Sequence, residues 1–168
     1  SLIACSDTIR RGAVRWIGKT ARPIAMIEDG ADDVLPYEPD QALIEEVSQA
    51  AQGRIVVVKM ARLVTLKRIP LFLQACRILL DEGYPLYVAL MCYGKDRHKP
   101  PIASQFERLF APAEGRMLYE VRCPLSILKR ADLGVTASAL EGLGLNVLEY
   151  QAEGVAVVCS NIPAHREM

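Results

Sequence analysis

Hydrophobic and polar positions along this chain follow two alternating periods, which predict strands and helices in turn. A short apolar run at 24–27 reads as a strand. Asp40 then stands ahead of a stretch through Ala51 that sets Leu43, Ile44 and Val47 on one face, the pattern of a capped amphipathic helix. Gly53 breaks it. Residues 54–58 read Arg-Ile-Val-Val-Val with no polar alternation, which predicts a strand buried on both faces. A helix over about 70–80, closed by Gly83, and a strand over 86–91 follow. Pro100 and Pro101 stop one element and open a helix carrying Phe106, Leu109 and Phe110.

Shorter units continue the pattern. Strands are predicted at 117–121, 133–136 and 155–159, and helices at 124–130 and 145–151, with loop and no terminal helix after the last strand. Repeated βα units with continuously apolar strands imply an α/β fold: a Rossmann-like parallel sheet with helices on both faces. The stretch 29–39, rich in Asp, Gly and Pro, is the expected linker. Residues 1–39 then form a crossing segment and linker, with Trp16 as a packing residue of a helix within 9–17, and 40–168 form the domain. The start lacks an initiator Met and a signal-peptide layout, and the end follows strand and loop, so both ends read as cut from something longer.

Composition narrows the function. With 168 residues the chain suits one domain with a real core. Lys plus Arg equals Asp plus Glu at 20 each, so no overall field favours nucleic acid or an acidic membrane, and any anion site must be local. No apolar run approaches the roughly 20 residues that span a bilayer. The five cysteines are scattered, with no Cys-x-x-Cys or Cys/His cluster, which argues against a zinc site or a disulfide framework. Runs such as Val157-Val158-Cys159 predict reduced core thiols and a cytoplasmic protein. No Asp-x-Asp triplet suggests a metal.

In such sheets ligands bind beyond the carboxyl ends of the strands, so the loops there hold the candidate chemistry. The most informative runs from Glu141 through Gly142, Gly144, Leu145 and Asn146 to Glu149. Its glycines let backbone N–H groups approach a ligand, and the helix start beyond them favours an anion such as a diphosphate. On one continuous helix the two glutamates would stand roughly 12 Å apart, beyond the roughly 5–9.5 Å of a glycosidase acid/base pair, so they suit two anchors on one extended ligand. The plainer alternative is a solvated glutamate, a glycine turn and a second glutamate on a polar face. A second loop, 60–68, carries Arg62, Lys67 and Arg68 after the 54–58 strand, where Arg62 would grip phosphate as a fork and Lys67 as a point charge. A third, Tyr93-Gly94-Lys95-Asp96, reads as a surface turn.

In this order the loops resemble the C-terminal domain of the glycogen-synthase-like retaining glycosyltransferases, group 1 or family 4 of the GT-B fold. The family's Glu-x7-Glu motif is similar to Glu141-Gly142-Leu143-Gly144-Leu145-Asn146-Val147-Leu148-Glu149, and its Gly-Arg-Leu-x-x-x-Lys-Gly loop to residues 61–68. Residues 153–160 resemble its Cys-Gly-x-Pro-Val-Val-Ala-Ser, and Pro163-Ala164-His165-Arg166-Glu167 its Pro-x-x-Arg-Glu. Ala4-Cys5-Ser6 and residues 28–32 resemble its Val-Ser and Pro-Asn-Gly-Val-Asp around the interdomain crossing.

The resemblance implies a UDP- or GDP-hexose donor, transfer of its glycosyl unit with retention, and no cofactor or metal. Arg62 and Lys67 would hold the diphosphate, and Glu141 would sit beside the donor sugar. Glu149 would bind the ribose hydroxyls, backbone from Gly142 and Gly144 to Leu145 and Asn146 would cradle the phosphates, and Val121 and Arg122 would edge the base. The acceptor, a sugar or lipid-linked glycan, would bind mainly on an N-terminal domain, leaving this part alone with little turnover. His165 is read as a surface or capping residue, with donor contact as the alternative, and His98 as exposed loop.

Ala61 and Arg68 replace the glycines of the basic loop, Leu66 replaces an acidic residue, and Leu143 an aromatic. Two rivals remain, a sugar-nucleotide epimerase half and a non-catalytic nucleotide-sugar-binding module. No Gly-x-Gly-x-x-Gly follows the first strand to suggest a dehydrogenase.

Overall fold

The computed structural model of the chain describes residues 2–17, 24–27, 38–93, 99–119 and 123–168. Two short strands, β1 (Leu2–Ala4) and β2 (Ile24–Met26), pair in parallel around helix α1 (Asp7–Ile17). The main body is a five-stranded sheet in which every pairing is parallel. Its strands are β3 (Ile55–Arg62), β4 (Leu86–Tyr93), β5 (Gly115–Tyr119), β6 (Leu133–Thr136) and β7 (Ala156–Cys159), in the spatial order β5-β4-β3-β6-β7. The fold is therefore the expected Rossmann-like α/β sheet.

Side-chain alternation along the buried strands divides the core in two. Val56, Val58 and Met60 of β3 and Tyr87, Ala89 and Met91 of β4 point to one face. Leu43 and Val47 of α2 (Gln41–Ala51), Ile127 and Leu128 of the 3-10 helix Pro124–Arg130, and Tyr150 of α5 (Leu145–Ala152) cover them there. On the other face, Val57, Ala61, Val88 and Leu90 meet Phe72, Leu73 and Cys76 of α3 (Ile69–Asp81) and Phe106 of α4 (Lys99–Leu109). Asp40 caps α2 as expected, accepting a hydrogen bond from the Leu43 amide at 3.1 Å.

Several element bounds differ from expectation. Strands β3 and β4 pair in register along all eight residues, Ile55 with Leu86 through Arg62 with Tyr93, so Arg62 and Tyr93 end strands rather than sit in loops. The ladder runs past Lys59, whose side chain is itself buried at 1% exposed. Strand β5 begins two residues early, at Gly115, where a Cβ would stand 2.4 Å from the Val88 carbonyl oxygen. The tail after β7 forms a one-turn helix, α6 (Pro163–Arg166), with proline at its first turn.

Cysteine placement also departs from the sequence pattern. Cys76 and Cys92 are buried, with burial pushing both thiols up to about 12, but Cys159 is exposed. Strand β7 lies at the sheet edge and has no flanking strand on one side, so its apolar run is not a buried core strand. The expected linker at 29–37, residues 94–96, His98 and the Trp16 side chain lie outside the described residues.

Candidate active site at the strand-order switch

The chain leaves β3 through α3 to β4 and through α4 to β5, then returns to the other side of β3 for β6, α5 and β7. The strand order thus reverses between β3 and β6, which are paired only at Val57 with Leu133 and Val58 with Gly134. Beyond that pairing the strands part and a crevice opens at their carboxyl ends, the place where open α/β sheets bind ligands. A cleft of about 290 Å³ lies there.

Tyr150 packs against both strands near the point where they part. Its hydroxyl accepts a hydrogen bond from the Met60 amide at 3.0 Å, satisfying a strand donor that β6 does not reach. Position 134 must be glycine for this, because a Cβ there would lie 2.6–2.8 Å from the Tyr150 ring.

Two loops meet at the crevice. The 3-10 turn Thr65–Lys67 follows β3, and the Ala139 amide donates to the Leu66 carbonyl at 2.8 Å, drawing in the loop after β6. Lys67 Nζ then lies 2.5 Å from Glu141 Oε1, with both side chains largely buried. Burial pushes the Glu141 carboxyl up, but hydrogen bonds from Lys67 and Ser138 and the charges of Lys67 and His165 outweigh it and hold it below the usual range. Glu149 lies one helical turn along α5. Burial holds its carboxyl above the usual range, against the pull of Lys67. The two glutamates therefore share a cleft with opposite electrostatic settings. Arg62 and Glu149 form no ion pair among the described residues.

Helix α5 begins at Leu145 after Gly144, which takes φ 100°, a left-handed conformation that favours glycine. The Leu145 and Asn146 amides at the start of α5 have no intrahelical acceptor, and both residues line the cleft. Glu141 lies ahead of this helix, not on it.

Of the residues singled out in the sequence, Arg62, Lys67, Glu141, Gly142, Gly144, Leu145, Asn146 and Glu149 all line this one cleft. Val121 and Arg122 lie outside the described residues. His165 is neither a surface residue nor part of the lining. It is buried behind Gly144, where a Cβ would meet its Cδ2 at 3.0 Å, and its Nδ1 donates to the Ser160 carbonyl at 2.9 Å. Arg68, where the resembling loop has glycine, holds φ 47° between the turn and α3.

Tyr93, which the sequence reads as part of a surface turn, lines the cleft, as do Cys5 and Leu143, to which the sequence assigns no site role. The Ser6 hydroxyl donates to the Gly142 carbonyl at 2.5 Å, and Glu167 accepts from the Asp7 and Thr8 amides at 3.1 and 2.9 Å, capping α1. The first segment of the chain is thereby tied to the glycine loop and to the last. Only Tyr93 carried a local signal, as an aromatic residue at the carboxyl end of an apolar run.

Residues 40–168 match the family model described as glycosyl transferases group 1. No curated protein sequence matches the chain. Among solved structures, Anabaena HepE in complex with UDP-glucose aligns with a TM-score of 0.78 at 20% identity, over 99% of this chain and 46% of its own. TarM of S. aureus, in complex with Fondaparinux, alpha-GlcNAc-glycerol and UDP, gives 0.71 at 20% identity, over 96% of this chain and 30% of its own. A UDP-forming trehalose-phosphate synthase from Burkholderia xenovorans gives 0.71 at 14% identity, over 98% and 47%. These likenesses are of fold, and the chain spans less than half the length of each.

Proposed function

The chain belongs to the glycosyl transferases of group 1, and from that premise we propose that its cleft binds a nucleoside diphosphate sugar for transfer of the glycosyl unit with retention. The observation that carries this reading is the convergence of Arg62, Lys67 and the amino end of α5 on one cleft, with Glu149 alongside. Two cations and a helix dipole make an anion site, and a carboxylate beside it suits the paired hydroxyls of a ribose. The solved complexes of HepE with UDP-glucose and with UDP and glucose support a donor of this class.

In the proposed reaction the bond from the sugar's anomeric carbon to the diphosphate oxygen breaks, an acceptor hydroxyl oxygen bonds to that carbon on the same face, and its proton passes to the departing diphosphate oxygen. Negative charge builds on the departing diphosphate, where Arg62 and Lys67 stabilise it more than in the ground state. Glu141, fixed as an anion by Lys67, takes hydrogen bonds from the donor sugar. In a protein of the neighbours' length, the acceptor, a sugar or lipid-linked glycan, would be held by a facing domain.

The test is a transfer assay on the whole protein with UDP- and GDP-hexoses, following the anomeric configuration of the first-formed product by NMR. Retained configuration, lost together with activity in Lys67→Ala, is expected. Inverted product, or turnover that survives Lys67→Ala, would sink the reading.

A further inference from the structure

Resting on the donor-site reading above, the cleft also has a direction. Strands β6, β3 and β4 lie side by side at its floor, each roughly 5 Å from the next. Glu141 and Gly142 stand on the β6 side, Arg62 ends β3 in the middle, and Tyr93 ends β4 on the far side. A diphosphate on Arg62, Lys67 and the α5 amides, with its sugar toward Glu141 on the β6 side, points its nucleoside toward the β4 side.

Tyr93 occupies that side. It is the Cα partner of Arg62 in a parallel ladder, so the two side chains leave the sheet on the same face. The seven residues before it in β4 are buried, whereas Tyr93 is 39% exposed. Among the described residues its ring pairs with no other aromatic and its hydroxyl makes no hydrogen bond. Other exposed aromatics, such as Tyr84, lie away from the cleft.

We propose that the Tyr93 ring is the platform on which the donor's nucleoside rests, its face stacked on the base or ribose while Glu149 holds the ribose hydroxyls. Stacking tolerates any base because each has a π face. Tyr93 therefore supplies affinity for nucleosides as a class and leaves the choice of base to other contacts.

Calorimetric titration of the wild-type chain, Tyr93→Ala and Tyr93→Phe with UDP, GDP, ADP and inorganic pyrophosphate tests this. The expected result is that Tyr93→Ala weakens the nucleoside diphosphate that binds best by about 5- to 100-fold. Tyr93→Phe should bind it within about twofold of wild type, and pyrophosphate affinity should be the same in all three proteins. Three results would overturn the platform alone while leaving the donor site standing: nucleotide affinity unchanged in Tyr93→Ala, an equal loss for pyrophosphate, or a loss in Tyr93→Phe as large as in Tyr93→Ala. Failure of wild type to bind any of the three nucleotides would overturn the donor-site reading, and the platform with it.

Discussion

Lys67 and Glu141, separated by 74 positions in the chain, form an ion pair at 2.5 Å across the point where the strand order reverses. The pair is largely removed from water, so deleting one partner leaves a charge without compensation. Glu141→Gln should lower stability at neutral pH by about 1–3 kcal/mol. Because the Glu141 carboxyl is held below its ordinary range, its contribution is complete above that range and is lost as pH falls through the lowered value. Denaturant unfolding of the two proteins at pH 7 and again well below the ordinary carboxylate value of 4.5 should show the gap closing as pH falls. A gap that is constant with pH would refute the assignment.

The Tyr150 hydroxyl is the acceptor for the Met60 amide of β3, and Tyr150 is fully buried. Tyr150→Phe keeps the ring against Gly134 and removes only the acceptor. An unsatisfied buried N–H costs about 1–3 kcal/mol, and unfolding should report a loss in that range. Amide exchange at Met60 should quicken with it.

Lys59 is a buried cation whose Nζ lies over the Phe72 ring, 5.7 Å from its centroid. Burial, and next the charge of Lys67, lower its pKa from 10.5 to about 8. The unfolded chain therefore holds more protons between about pH 8 and 10.5, so stability rises with pH through that window. Below pH 8 the charge is buried at full cost, bounded at roughly 3 kcal/mol by about 1.4 kcal/mol per pH unit. Lys59→Met should raise stability at pH 7 by about 1–3 kcal/mol, since it keeps the stem's packing without the charge. Melts at pH 7 and pH 10 should show the advantage shrinking at the higher pH. A destabilised Lys59→Met at pH 7 would contradict a buried charge without compensation.

The fold was legible wherever a local signal decided it. Asp40 caps its helix and Leu133–Thr136 is a strand, as the pattern at those positions predicts. The continuous apolar run in β3 also foretold a strand covered on both faces. Strand ends were less legible, because Arg62 and Tyr93 are held by pairing with each other, which neither segment shows alone. Cys159 misled for a similar reason: only the strand order shows that β7 is an edge.

In the site, loop glycines and charges at strand ends gathered as the pattern implied, since topology brings all such ends to one side of the sheet. What stayed hidden was contact at long range. Nothing near Ser6 predicts that it reaches Gly142, 136 positions away, nor does Glu167 announce a cap on α1. His165 stands beside Arg166 and Glu167 in a polar stretch, yet the fold buries it behind Gly144.

The central claim is that the cleft between β3 and β6 holds a nucleoside diphosphate on Lys67 and Glu149. Titration calorimetry with UDP, GDP and ADP on wild type, Lys67→Ala and Glu149→Ala tests it most directly. Wild type should prefer one diphosphate, and each variant should bind it about 10- to 100-fold more weakly, the worth of a charge-assisted hydrogen bond. Binding by both variants as tight as wild type would place the nucleotide elsewhere and contradict the account.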